Sequence, residues 1–171
     1  MKKEEIDVIV LMIRNLGIEN EVREALSSNS EKPLPQKEKT SNGYRIYYDK
    51  TSNDAVGIIY KNVVFLKETS EKKLNWDDAV TYCKTIVING ITSQLCPVDR
   101  NWKTEFDSIA KDLYTALKEI GARRLDDWTW CSEYSNTGYA WIQYFSDGYV
   151  YDYYLKGSTC YVRPVLILQE I

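Results

Sequence analysis

The chain has 171 residues, 44% of them hydrophobic, which suits one globular domain with a core of its own. Its 22 basic and 25 acidic residues leave a net charge of -3, so no broad cationic field exists to hold a phosphate backbone, and nucleic acid is not an expected partner. There is no histidine, which removes the commonest general base, the Ser-His and Cys-His nucleophile arrangements, and most support for hydrolase chemistry.

The opening, MKKEEIDVIVLMIRN, follows its basic residues with Glu4, Glu5 and Asp7, and the apolar run Val8 to Ile13 is too short for a membrane span or a signal peptide. Cytoplasmic synthesis without membrane insertion is expected, compatible with a virion component or with export by a non-standard route. Residues 3–27 are rich in helix formers and place Ile6, Ile9, Ile13 and Leu16 at spacings of three and four. Gly17 ends or bends that helix, and a second piece, Ile18 to Leu26, carries Val22 and Leu26 on one side. The arm either packs as a hairpin on its own domain or joins chains into a homo-oligomer. Ser27 to Gly43 mixes Ser, Asn, Pro and charge without periodicity and reads as a linker or strap. The expected organisation is a helical arm and linker over 1–43 and a ligand-binding domain over 44–171.

From Tyr44 the pattern turns to strands, in YRIYY, AVGIIY and NVVFLKE, bounded by Asp, Asn and Lys turns. Asn75-Trp76-Asp77-Asp78-Ala79 opens a helix to about Ile86, with Asn75 as N-cap and two aspartates at the positive end of the helix dipole. Past a loop through Asn89, Gly90 and Pro97, the segment Thr104 to Ile120 puts Phe106, Ile109, Ala110, Leu113, Leu117 and Ile120 on one face of an amphipathic helix that Gly121 caps. Alternation returns after Asp127 in Trp128/Trp130, Ala140/Ile142/Tyr144, Tyr149/Tyr151/Tyr153 and Tyr161 to Leu168, with Ser146-Asp147-Gly148 as a hairpin turn. Strands flanking two helices imply an α+β domain with a mainly antiparallel sheet. Cys83, Cys96, Cys131 and Cys160 lie far apart with no CxxC pair, so neither a metal nor any other cofactor is expected. The thiols are read as reduced and buried, or as one or two disulfides if the protein works outside a cell.

Between Tyr134 and Tyr161 stand eight of the 14 tyrosines, set among Ser, Asn, Asp, Gly and Thr. Buried phenols need partners and the small polar residues fill little volume, so this is poor core material. It suits a recognition surface, where tyrosine offers a large amphipathic face with two torsions to freeze and Ser, Gly and Asn add adaptable hydrogen bonds. The competing reading is a Tyr-rich sheet whose rings cover their own strands. With successive side chains on opposite faces, Tyr149, Tyr151 and Tyr153 share one face as a platform and Tyr154 takes the other. Trp128, Trp130 and Trp141 read as core, Trp128 being the most exposed of them, and Arg163 beside Pro164 reads as a lock on the terminal strand. Glu133 with Asp147 or Asp152 could form a glycosidase pair, but nothing in the sequence sets their separation, and no catalytic residue is assigned.

The order of elements, with Trp76 and Ala79, Trp102 to Tyr114, Trp130, Ser132, Glu133, Tyr134, Ala140, Trp141, Phe145, Gly148, Val150 and Tyr161 to Val165, resembles the C-type-lectin fold over about 60–168. More narrowly it is similar to lectin-fold domains of gut bacteria and their phages that include the variable proteins of diversity-generating retroelements. The Val162-Arg163-Pro164-Val165 ending is the most specific part. The resemblance implies a scaffold built from that ending with its Trp and Gly partners, and between them a solvent-facing patch rewritten by adenine-directed mutagenesis. Asparagine codons ending in a pyrimidine, altered at their adenines, never yield Trp, Gln, Lys, Glu or Met. Between Tyr134 and Tyr161 only Trp141, Gln143 and Lys156 belong to that set. The Glu-Pro-Asn, Gln-Pro-Asp and Trp-Asn-Asp runs that supply calcium ligands in sugar-binding C-type lectins do not occur.

The resulting expectation is a non-enzymatic recognition protein presenting Tyr139, Tyr144, Ser146, Asp147, Tyr149, Tyr151, Asp152, Tyr153, Tyr154, Ser158 and Thr159 to a macromolecular ligand, a protein or a cell-surface glycan. The alternative is a calcium-independent carbohydrate-binding or adhesin domain with an unvaried site.

Overall fold

The three β-branched runs become β1 (Arg45–Tyr48), β2 (Ala55–Tyr60) and β3 (Val63–Leu66) in a computed structural model that describes residues 38–134 and 138–169. The helical arm expected before residue 38 lies outside the described residues. Each strand pairs antiparallel with the next, Ile46 opposite Ile58 and Ile58 opposite Phe65, and the carboxyl-terminal β9 (Val165–Ile167) adds to β3 with Val165 opposite Phe65. Residues 38–43, read as the end of a linker or strap, are bonded to the domain as a strap is. Ile46 N donates to Glu38 O, Thr40 N to Tyr44 O, and Ser41 N to the Glu119 carboxylate at 2.8 Å. The last of these contacts joins residues 78 apart in the chain, so composition carried no sign of it.

Helix α1 (Trp76–Lys84) opens where expected, with the Asn75 side chain accepting from Asp78 N at 2.9 Å and donating to the Asp78 carboxylate at 2.8 Å. It stops short of Ile86. The Thr85 hydroxyl donates to Tyr82 O at 2.7 Å and closes the last turn, and Ile86 turns into the apolar cluster of Val64, Leu66 and Leu166. The short hairpin β4 (Val87–Ile88) and β5 (Ile91–Thr92) follows, reversing at Asn89 and Gly90 with φ of 53° and 80°. Helix α2 (Arg100–Glu119) begins a turn earlier than its apolar periodicity indicates, because Asp99 accepts from Trp102 N at 2.8 Å and caps it there. Gly121 at φ 85° ends it.

Strands β6 (Thr129–Glu133), β7 (Tyr139–Tyr144) and β8 (Tyr149–Leu155) form a separate antiparallel meander in the order β6-β7-β8. Helix α2 packs its buried Phe106, Ala110, Leu113 and Leu117 against both sheets, with Ile58 and Phe65 from one and Trp141, Phe145 and Val150 from the other. Phe145 meets Phe65 and Phe106 edge-on, at 5.9 Å and 5.3 Å between ring centroids. The described residues therefore make an α+β domain with two helices and antiparallel sheets. No helix among them is long and apolar enough to cross a membrane.

Arg163 is fully buried and acts as a lock, as its place beside Pro164 suggests. Its guanidinium donates to Leu66 O at 2.7 Å, to Lys67 O at 3.0 Å and to Arg123 O, and lies 5.4 Å from the Phe145 ring. Burial pushes its pKa down, to about 9, with the Glu68 carboxylate acting the other way. Arg163→Ala leaves three carbonyls and the space of a large side chain unfilled, and urea titration should show a loss of about 3–5 kcal/mol. A loss under about 1 kcal/mol would mean that these carbonyls find other donors.

All four cysteines are buried and free. Burial raises the Cys83 thiol to about 12 and the Cys160 thiol to about 11. Iodoacetamide at pH 8 should therefore leave the folded protein unlabelled over minutes and react with every thiol once urea is added, which mass spectrometry reads directly.

Candidate functional site

The predicted recognition residues converge on β8 and the hairpin that leads into it. Residues Tyr149, Val150 and Tyr151 alternate exposed, buried and exposed, as a strand on a packed sheet must. Tyr149 is 67% exposed, Tyr151 50%, Tyr153 53% and Leu155 56%, so these side chains do not cover their own strand. Gly148 sets this strand in place. At φ 73° it lies so close to α2 that a Cβ would sit 3.1 Å from Asp107 Cα and 3.3 Å from Ala110 Cβ.

The three-phenol platform is not what forms. In β7 the alternate residues Ala140, Ile142 and Tyr144 share one face, and they stand opposite Tyr154, Tyr151 and Tyr149 of β8. Between the first two pairs β8 has one residue more than β7, a β-bulge that reverses the alternation. Tyr149, Tyr151 and Tyr154 therefore share a face, and Tyr153, expected beside Tyr149 and Tyr151, points to the opposite one. Two aromatic groups result. On the first face Trp128, 38% exposed, packs 5.1 Å from Tyr144, and Tyr154 packs 5.4 Å from the buried Trp130. On the second, Tyr153 lies 5.3 Å from Tyr139 and 5.1 Å from Tyr134, which rests at 5.2 Å on the buried Trp141. The hydrogen bond that the Tyr153 hydroxyl donates to Tyr134 raises the Tyr153 phenol above its ordinary pKa. Tyr134 and Leu155 belong to this surface although they were not among the expected residues. Tyr134 precedes the tyrosine alternation, and Leu155 carries no polar signal.

The remaining expected residues flank the strand. The Ser146 hydroxyl donates to Asp147 at 3.1 Å in the hairpin turn, and the Tyr144 hydroxyl donates to Asp126 O at 2.8 Å. Asp152 is half-buried at the bulge. Ser158 and Thr159 sit in the loop that returns to α1, where Trp76 N donates to Lys156 O at 3.0 Å and Leu74 bridges to Cys160; no ring contact among the described residues joins them to the tyrosines. A cleft of about 970 Å³ does exist elsewhere, lined among others by Val56, Leu66, Tyr82, Arg123 and Arg124, and none of the expected residues borders it. The exposed aromatic surface is thus an open one.

The supporting positions are fixed. Trp141 is 4% exposed. Gln143 is fully buried and accepts from Trp102 Nε1 at 3.4 Å. The Lys156 ammonium pairs with Glu133 and lies 4.2 Å from the Trp76 ring centroid.

No protein-family model matches the chain, and no curated protein is significantly similar to it.

Tyr149→Ser and Tyr151→Ser should each cost less than about 1 kcal/mol, against about 3–5 kcal/mol for Trp141→Ala. Equal losses at all three positions in urea titration would mean that the exposed rings hold the sheet together.

Proposed function

We propose that the protein is a non-enzymatic recognition module whose exposed rings on β8 and its neighbours bind a macromolecular surface. The carrying observation is the division of labour within one short stretch. Side chains that project outward between Tyr139 and Thr159 are mainly Tyr, Ser, Asp and Thr, and those that project inward or pair internally are scaffold. Rigid amphipathic rings on a packed support need little ordering when they bind, which favours affinity from a small area.

The same division supports a variable protein of the diversity-generating kind, on a C-type-lectin scaffold. Trp141, Gln143 and Lys156, the residues in this stretch that adenine-directed change of a pyrimidine-ended asparagine codon cannot produce, are two buried residues and one internally paired lysine. Every expected site residue is exposed or half-buried, none fully buried, and all are compatible with that codon origin. In this reading variation rewrites the surface and leaves the support untouched. The buried Val162-Arg163-Pro164-Val165 ending then serves as part of that support.

Arrays of extracellular proteins and of glycans, probed with the wild type and with a Tyr149→Ser/Tyr151→Ser double variant, test the reading. The wild type should bind a defined subset, with or without chelator, and the variant should lose at least about tenfold in affinity, one to two kcal/mol of hot-spot energy. Unchanged binding by the variant, or no ligand on either array, would overturn the assignment of this surface.

A further inference from the structure

We propose that the outer edge of β8 takes up an extended, positively charged segment of a partner protein as an added strand; this rests on the recognition reading above and names its partner. Among the described residues β8 is the last strand of its sheet and pairs with β7 alone. Along its seven residues, alternate N–H and C=O groups therefore point away from the sheet. Edges of this length are ordinarily blunted by charge, lysine above all, by proline, by a bulge or by a covering element. The sequence of β8, YVYDYYL, contains no lysine and no proline; its one charge is Asp152, beside the bulge.

The bulge puts aromatic rings on both faces of this edge. Tyr149 and Tyr151 stand on one face of it and Tyr153 on the other, so whatever lies along the edge meets aromatic rings on both sides. A sugar ring stacks on one plane and leaves the main-chain groups unused. A peptide strand uses both, pairing through its backbone and sending alternate side chains over the two aromatic groups.

Charge selects the partner. From Asp126 to Thr159 the only basic residue is Lys156, and Glu133 neutralises it. Asp152 in β8 and Asp147 in the turn before it remain without a cation from this stretch. Lysine or arginine on the incoming strand would face those carboxylates and the tyrosine rings together. A second copy fits less well, because antiparallel pairing of two β8 strands about their middle brings Asp152 against Asp152 of the other chain.

The full-length protein is panned against a display library of random peptides of about eight residues, the length of such a strand. Enriched sequences should alternate lysine or arginine with β-branched residues. An enriched peptide methylated on alternate backbone nitrogens should lose at least about tenfold in affinity in one of the two methylation frames and little in the other, since only one frame faces the edge. The amides of β8 should exchange more slowly in the complex. The proposal is overturned by an absence of enrichment, by enrichment of acidic sequences, by equal affinity in both frames, or by a dimer in sedimentation with β8 amides already protected. A glycan or protein ligand that depends on Tyr149 and Tyr151 but competes with no peptide would end the edge proposal and leave the recognition reading standing. No ligand of any kind would end both.

Discussion

The arrangement of the two larger sheets depends on one buried guanidinium. Arg163 reaches from the segment before β9 to the carbonyls that end β3 and to Arg123 beyond α2, and it lies against Phe145 at the tip of the β7–β8 hairpin. A buried cation is costly unless its donors are used, and here backbone carbonyls take up both terminal nitrogens. A guanidinium's five donors in a rigid planar fork suit carbonyls that come from separate segments. The four-stranded sheet, the end of α2 and the exposed hairpin are held to one another through that group.

Phe145 extends the same junction into the apolar core. Its edge-on contacts with Phe65 and Phe106 join the two sheets across α2, and Gly148 lets β8 start in contact with that helix. The chain can then leave β8 exposed beyond Val150, because its support comes from the strand beneath and not from its own rings. The expendable outer side chains and the fixed inner ones follow from this. A surface so supported can change composition with little effect on folding, which is the property a recognition surface under variation requires.

The two aromatic groups are set by a single additional residue in β8. A regular strand would line Tyr149, Tyr151 and Tyr153 along one face and make a flat platform. The bulge sends Tyr153 over to Tyr134 and Tyr139 and leaves Tyr149 and Tyr151 with Trp128 and Tyr144. Both groups border the same unpaired edge, so the surface has two sides and a hydrogen-bonding rim between them.

Much of the fold was legible in the chain because the signals were local. Asn75 and its two following aspartates start α1, the apolar spacing from Phe106 to Leu117 defines α2, and alternation with a Ser-Asp-Gly turn defines β7 and β8. The exposure of Tyr149, Tyr151 and Tyr153 was legible for the same reason, since phenols among small polar residues make poor core. What the chain could not reveal depends on which of several available partners, near or remote in sequence, the folded backbone takes up. Asp99 starting α2 early, Thr85 stopping α1 and residues 38–43 joining the domain each follow from which hydrogen bonds the folded chain makes available. The bulge is the plainest case: a sequence alternates the same way whether or not its neighbour keeps pace, and only the pairing of β8 with β7 decides which face each tyrosine takes.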